Sequence, residues 1–202
     1  MDNHQVSEET VQQVGDYLAS RGLSDVRIRV NQYDPSGEWR RLRSNSEISP
    51  GWKYTVGLLK FAEYSLLPGR LFGGDEYNPF TNSLSLYSDS AALGLVESAY
   101  ALDIHHRELP GTYAASQELP WIGLWHEVLA TQEAMDYATH VGTSDPLYRD
   151  RHTLYARYGM IMGDALFGFG PANGISVGGV AGIAGAVGGH AAAAIQNQIN
   201  RT

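Results

Sequence analysis

Two glutamates on neighbouring predicted helices are the strongest candidates for chemistry in this sequence. Glu97 lies in the stretch Val96-Glu97-Ser98-Ala99-Tyr100, and Glu127 lies on the next predicted helix. In a helical His-Glu-x-x-His motif, two histidines one turn apart hold zinc, and the glutamate activates the metal-bound water. Here the glutamate is in place, but Val96 and Tyr100 stand at the histidine positions. Valine has no donor atom, and tyrosine binds a metal only as a phenolate.

Two histidines offer a way to rebuild a metal site. His105 lies near the end of the helix that carries Glu97, and His126 directly precedes Glu127. One of these histidines together with Glu97 and Glu127 would supply three zinc ligands and leave a position for water. The alternative is that these side chains are polar residues held by hydrogen bonds. The two carboxylates could also act as an acid–base pair, although the sequence does not fix their separation.

The elements that position these residues follow from hydrophobic periodicity and from capping signals. Helices are predicted for residues 7–21, 52–67, 90–106, 120–140 and 154–169, and strands for residues 26–30 and 83–87. The first strand alternates apolar residues with Arg27 and Arg29, so we expect both arginines on its solvent face. The second strand has the pattern of an edge strand. Residues 34–37 are predicted to form a turn, and Pro110-Gly111 to open a loop.

Several short sequences between residues 26 and 137 belong to one pattern. They are Asn31-Gln32-Tyr33-Asp34-Pro35, Glu38-Trp39-Arg40-Arg41-Leu42, Leu67-Pro68-Gly69-Arg70-Leu71-Phe72-Gly73-Gly74, Tyr77-Asn78-Pro79-Phe80-Thr81-Asn82, Leu86-Tyr87-Ser88-Asp89, Gly111-Thr112-Tyr113-Ala114-Ala115 and Trp125-His126-Glu127. In this combination the chain resembles a family of bacterial HExxH zinc metallopeptidase-like proteins. The resemblance implies a zincin-like core and an ancestral zinc site, with Glu127 at the position of the third ligand. Because Val96 and Tyr100 replace both histidines, it also implies an inactive domain.

The C-terminal part of the chain has a different composition. Residues 174–195 are nearly all Gly, Ala, Val and Ile, and glycines recur every four residues at Gly174, Gly178 and Gly182 and again at Gly185 and Gly189. This spacing is that of a glycine zipper, in which two helix backbones approach closely. The apolar length also suits a bilayer. We therefore expect a C-terminal Gly/Ala-rich apolar helical segment in a membrane, with a flexible tail or a soluble oligomer core as the alternatives.

A second candidate contact surface combines an aromatic residue with basic ones. Trp39, Arg40 and Arg41 are consecutive in the sequence. A cluster of this kind is often only the solvated face of a helix. It can also bind anionic lipid head groups, with the tryptophan at the membrane interface.

Composition limits the classes of function that remain. The chain has 202 residues, 43% of them apolar, a formal net charge of −8 and no cysteine. The absence of cysteine excludes disulfides and thiolate metal sites, and the acidic balance argues against nucleic-acid binding. The polar, acidic start of the sequence is not a secretory signal peptide, so we expect a cytoplasmic N-terminal domain.

Together these observations predict an α+β fold in which a small sheet packs on a mainly helical, zincin-like core. We expect a metallopeptidase-like domain over residues 1–150 and an apolar hairpin or tail over residues 151–202. The predicted function is that of a membrane-associated accessory subunit that binds other protein subunits, without catalysis and without a cofactor. The alternatives are a metal-dependent hydrolase with a rebuilt site and a soluble protein that forms homo-oligomers through its glycine-rich tail.

Overall fold

The computed structural model describes residues 6–66, 74–140, 152–159 and 161. The chain forms two compact units, Met1–Gly123 and Leu124–Thr202. The described residues are mainly helical and include one three-stranded sheet, so the predicted α+β class is confirmed. The predicted domain boundary at residue 150 and all five zipper glycines lie outside the described residues.

The helices and strands follow one another in this order. They are α1 (Glu8–Ser20), β1 (Arg27–Val30), α2 (Pro35–Ser44), α3 (Pro50–Lys53), α4 (Val56–Leu66), β2 (Glu76–Asn78), β3 (Ser83–Leu86), α5 (Ala91–His105), α6 (Pro110–Ser116) and α7 (Pro120–His140). Residues 152–159 are also helical. Among the described helices, none is both long enough and apolar enough to cross a bilayer.

Strand β3 lies at the centre of the sheet, so the prediction of an edge strand was wrong. Strand β1 pairs with it in parallel, with Ile28 opposite Leu84, and β2 pairs antiparallel, with Tyr77 also opposite Leu84. The leucines of β3 are buried, and Ser83 is buried as well. The Ser83 hydroxyl donates to Oε1 of Glu38, 2.8 Å away, so the buried serine has a hydrogen-bond partner.

Helices α1 and α5 pack against each other beside the sheet, and the residue of α5 at this contact is a glycine, Gly94. A Cβ at Gly94 would lie 2.6 Å from Val14 Cγ2 on α1 and 3.2 Å from Leu86 Cδ2 on β3. Val14 and Leu86 are both fully buried. Gly94 therefore allows α1 and β3 to pack closely against α5. The same helix carries the candidate residues Glu97 and His105.

Strand β1 follows its predicted alternation only in part. Arg27 is exposed as expected, but Arg29 is buried and Val30 is exposed. The Arg29 Nε lies 2.6 Å from Oε1 of Glu38 on α2, and Nη1 lies 3.4 Å from Oδ2 of Asp34. Two carboxylates thus balance the buried guanidinium. The pairing across elements, rather than the local pattern, decides which face of the strand points inward.

Two segments predicted to be irregular are helix starts. Asp34 is the N-cap of α2, since its Oδ1 accepts the backbone N–H of Gly37 at 2.9 Å, and Pro35 occupies the first turn. Pro110 likewise lies in the first turn of the short helix α6, whose N-cap Leu109 makes no side-chain capping bond. Proline at a helix start and proline in a turn give the same local sequence, and tertiary packing selects between them. The single helix predicted for residues 52–67 is two helices, α3 and α4.

Candidate functional site

Helix α5 carries the motif-like stretch around Glu97, and the structure places its five residues in different environments. Val96 is only 2% exposed and packs in the core. Tyr100 is half-buried, and its ring packs edge-on against Tyr77 of β2 at 5.5 Å between ring centroids. Ser98 donates to the Gly94 carbonyl oxygen one turn earlier. The positions that would be zinc histidines are therefore used for packing.

The Glu97 carboxylate has a structural partner. Its Oε2 accepts the backbone N–H of Tyr77 at 3.0 Å. Tyr77 is itself buried, and its hydroxyl donates to Oδ1 of Asn82 at 2.8 Å. Glu97 therefore attaches the start of β2 to α5 by a hydrogen bond. This is a structural role, and it differs from that of a general base.

The environment of Tyr100 is acidic. Burial raises its pKa well above the usual range, and the charges of Glu97, Glu118 and Glu76 raise it further. Desolvation likewise raises the pKa of Glu76, although the charge of Lys60 opposes this shift. A phenolate, the form that could bind a metal, is therefore disfavoured at Tyr100.

Lys60 of α4 supplies the positive charge for these carboxylates. Its Nζ lies 3.2 Å from Oε1 of Glu118 and 3.3 Å from Oε2 of Glu63. Burial alone would lower the pKa of Lys60, but the hydrogen bond and charge of Glu118, with the charges of Glu63 and Glu76, raise it overall. The Lys60 ammonium group thus balances part of the negative charge of Glu118, Glu63 and Glu76.

His105 ends α5 and contacts residues that the sequence did not single out. Its Nδ1 lies 2.8 Å from the Ala101 carbonyl oxygen, and its Nε2 lies 3.4 Å from Oε2 of Glu47. Asp25 completes a group of three side chains whose ligand atoms lie within 4.8 Å of one another. Asp25 and Glu47 also line a pocket of about 240 Å³.

The remaining predicted ligands belong to the second unit. His126 is buried at 3% exposure. Glu127 is half exposed. Nη2 of Arg157 lies 3.9 Å from its Oε1, which is a long distance for an ion pair. The predicted ligand set combined Glu97 of the first unit with Glu127 of the second.

The basic residues of α2 differ in their contacts. Trp39 packs on the core beside Phe61 at 5.3 Å between centroids, whereas Arg40 is exposed. Arg41 donates to the carbonyl oxygens of Thr81 at 2.7 Å and Asn82 at 2.6 Å. Arg41 therefore holds the loop between β2 and β3, while Arg40 faces solvent.

Sequence reasoning missed Asp25, Glu47 and Lys60. Each comes from a different element or loop, and only tertiary packing brings Asp25 and Glu47 near His105 and Lys60 near Glu118. No short spacing in the sequence links them, so a motif search has no signal to find. No protein-family model, curated protein or solved structure matches the chain.

Proposed function

We propose that this protein is a non-catalytic, metallopeptidase-like scaffold that binds a partner protein as an accessory subunit at a membrane. The observation that carries the proposal is the pairing of Glu97 with the Tyr77 amide, next to carboxylates that Lys60 neutralises. The glutamate that would activate water has a backbone partner, and an ammonium group stands beside the acidic side chains. Both features favour a scaffold over a hydrolase.

Helix α4 offers the surface for such a partner. Leu59 and Leu66 lie two turns apart on the same side of the helix and are 70% and 77% exposed, and Leu58 beside them is 41% exposed. Glu63 lies between the two leucines and is more than half exposed. Apolar side chains repeated on one helical face are typical of protein contacts.

The charge of the chain indicates the chemistry of this partner. The net charge is −8, and Glu63 lies within the exposed leucine stripe. A complementary surface would place apolar side chains against Leu59 and Leu66 and basic side chains around them. We infer a partner protein with an apolar centre and a basic rim, and the glycine-rich segment from Gly174 to Gly189 as the part that associates with the membrane.

The absence of catalysis by Glu97 is tested with Glu97→Gln. Glutamine keeps an oxygen that accepts the Tyr77 amide but cannot act as a base. Purified wild type and variant are compared for peptide hydrolysis with added Zn²⁺ across a panel of peptides. We expect the same background rate for both chains, and a Zn²⁺-dependent rate that the substitution abolishes would overturn the proposal.

Partner binding is tested with the double substitution Leu59→Ser and Leu66→Ser. The matched control is Leu109→Ser, because Leu109 is 67% exposed but lies between α5 and α6. Proteins that purify with the full chain from its native membranes are identified, and the strongest is reconstituted with each variant. We expect the α4 variant to bind at least tenfold more weakly and the control to bind as the wild type does. Equal affinity for all three chains would exclude α4 as the contact surface.

Membrane association is tested by fractionation of cells that express the full chain or a chain truncated after Asp164. We expect only the full chain to sediment with membranes and to need detergent for release. Equal solubility of both chains would remove the membrane part of the proposal and leave the partner contact at α4 intact.

A further inference from the structure

Three side chains from three separate segments of the first unit converge at the end of α5. Asp25 lies between α1 and β1, Glu47 lies between α2 and α3, and His105 is the last residue of α5. One ligand atom from each lies within 4.8 Å of the other two. An imidazole and two carboxylates are a donor set that suits a divalent first-row metal ion.

The hydrogen bonding of His105 prepares it for coordination. The Ala101 carbonyl oxygen can only accept, so Nδ1, 2.8 Å away, carries the proton in the neutral ring. The lone pair is then at Nε2, which is buried and makes no hydrogen bond within the described residues. A metal-binding histidine typically has this arrangement, in which a backbone carbonyl fixes the ring tautomer.

The Asp25 carboxylate is also oriented by a hydrogen bond. Its Oδ2 accepts the side-chain amide of Asn82 at 2.7 Å. Asn82 adopts a left-handed backbone conformation with φ of 50°, which asparagine tolerates better than most residues. Its side-chain oxygen accepts the Tyr77 hydroxyl, and its backbone carbonyl accepts Arg41. The amide that orients Asp25 is thus fixed on three sides, as ligand-supporting groups usually are.

The spacing of the ligand atoms favours zinc. Nε2 of His105 and Oε2 of Glu47 lie 3.4 Å apart. Two ligands of a tetrahedral zinc ion, with bonds of about 2.1 Å, are about 3.4 Å from each other. Asp25 and Glu47 are exposed and can close the remaining distance, and the pocket beside them can admit water as a fourth ligand.

Charge favours the same ligand. Asp25 and Glu47 together carry two negative charges, which a divalent cation would neutralise. The nearby Arg41 lines the pocket but directs its N–H groups to the backbone carbonyl oxygens of Thr81, Asn82 and Asp25. Its N–H groups thus bind the backbone, while its charge still acts on Asp25.

We propose that Asp25, Glu47 and His105 bind one Zn²⁺ ion, which links the loop before β1 and the loop after α2 to the end of α5. This site shares the helix α5 with the Glu97 stretch but none of its residues, and it does not depend on the proposed partner binding. Its function is to stabilise the first unit, because the ion would bind the folded chain and not the unfolded one.

The test is zinc titration of the full chain after removal of metals with a chelator. Calorimetry should give one Zn²⁺ per chain, and Co²⁺ in its place should give the visible absorption of a tetrahedral site. His105→Gln and Glu47→Gln should each weaken Zn²⁺ binding at least tenfold and remove the Co²⁺ spectrum. The control is His106→Gln, which changes the exposed neighbouring histidine and should bind Zn²⁺ as the wild type does.

Three results would overturn the proposal. They are the absence of a stoichiometric Zn²⁺ site, binding that neither His105→Gln nor Glu47→Gln weakens, and binding of Mg²⁺ or Ca²⁺ in preference to Zn²⁺. The Glu47→Gln variant controls for misfolding. Its side chain is exposed, so the substitution leaves no buried gap, and a loss of Zn²⁺ binding then reports on the ligand itself. Thermal unfolding with and without Zn²⁺ gives a second readout, in which only chains with all three ligands should gain stability.

Discussion

The Nε of Arg29 lies 2.6 Å from Oε1 of Glu38, and both side chains are almost completely buried. The same Glu38 oxygen accepts the Ser83 hydroxyl at 2.8 Å, so one carboxylate oxygen links β1, α2 and β3. A buried charge is tolerated only when its partner is present, because desolvation costs several kcal/mol per ion. This pair therefore specifies how α2 lies against the sheet.

Loss of one partner should destabilise the protein more than loss of both. We expect Arg29→Leu alone to lower the free energy of unfolding by about 3–5 kcal/mol, since it leaves Glu38 as a buried charge without its cationic partner. Glu38→Leu alone should cost less, because Asp34 still lies 3.4 Å from the guanidinium. The double variant should recover a large part of that loss. Urea denaturation of the four chains measures the coupling, and additive single effects would show that the two side chains do not depend on each other.

The arginine also shows where prediction from the sequence fails. The helix over residues 90–106 was predicted almost to the residue, because its apolar spacing is a local signal. The burial of Arg29 on β1 was not predicted, because it depends on Glu38 and Asp34, which lie at and beyond the start of α2. The alternation of apolar and polar residues reflects only the average preference of each side chain for burial or for solvent. It contains no information about a counter-ion that is distant in the sequence.

Glu97 should contribute to stability through the Tyr77 amide. We expect Glu97→Ala to lower the free energy of unfolding by about 1–3 kcal/mol, because it leaves a part-buried backbone N–H without its acceptor. Glu97→Gln should cost much less, since its amide oxygen can accept the same bond. Chemical denaturation of both variants decides the matter, and equal losses would mean that the carboxylate charge rather than the hydrogen bond is important.

The candidate site was only partly predictable for a similar reason. Glu97 stood out because a spacing of one helical turn can be read directly from the sequence. Lys60 and Glu118 stood outside any such pattern, although the two side chains form an ion pair at 3.2 Å. His105 was identified, but Asp25 and Glu47 were not expected beside it, since they reach it only through the tertiary fold.

Gly94 should tolerate no side chain. Alanine there would place a Cβ 2.6 Å from Val14 Cγ2, so α1 would have to move away from α5. We expect Gly94→Ala to lower the free energy of unfolding by about 1–3 kcal/mol despite the better helix propensity of alanine. Gly51→Ala is the control, because no atom lies within 4 Å of a Cβ at that position. Thermal unfolding should show a lower midpoint for the first variant alone.

Asp89 should make the docking of α1 sensitive to acid. Its Oδ1 accepts the Ser7 hydroxyl at 2.7 Å, the Ser7 backbone N–H at 2.8 Å and the Thr10 hydroxyl at 2.8 Å. These three bonds, with the Ser7 hydroxyl first, lower the pKa of Asp89 below its ordinary value of 3.8. The folded state therefore holds the carboxylate in its charged form more strongly than the unfolded chain does.

The direction of the pH effect follows from this lowered pKa. The stabilisation by Asp89 is complete above the pKa of the unfolded chain and is lost as the pH falls through the lower pKa of the folded state. We expect Asp89→Asn to be less stable than the wild type at neutral pH and to approach it below about pH 4. Urea midpoints measured for both chains across this range test the prediction. A stability difference that stays constant with pH would show that the Asp89 charge has no part in holding α1.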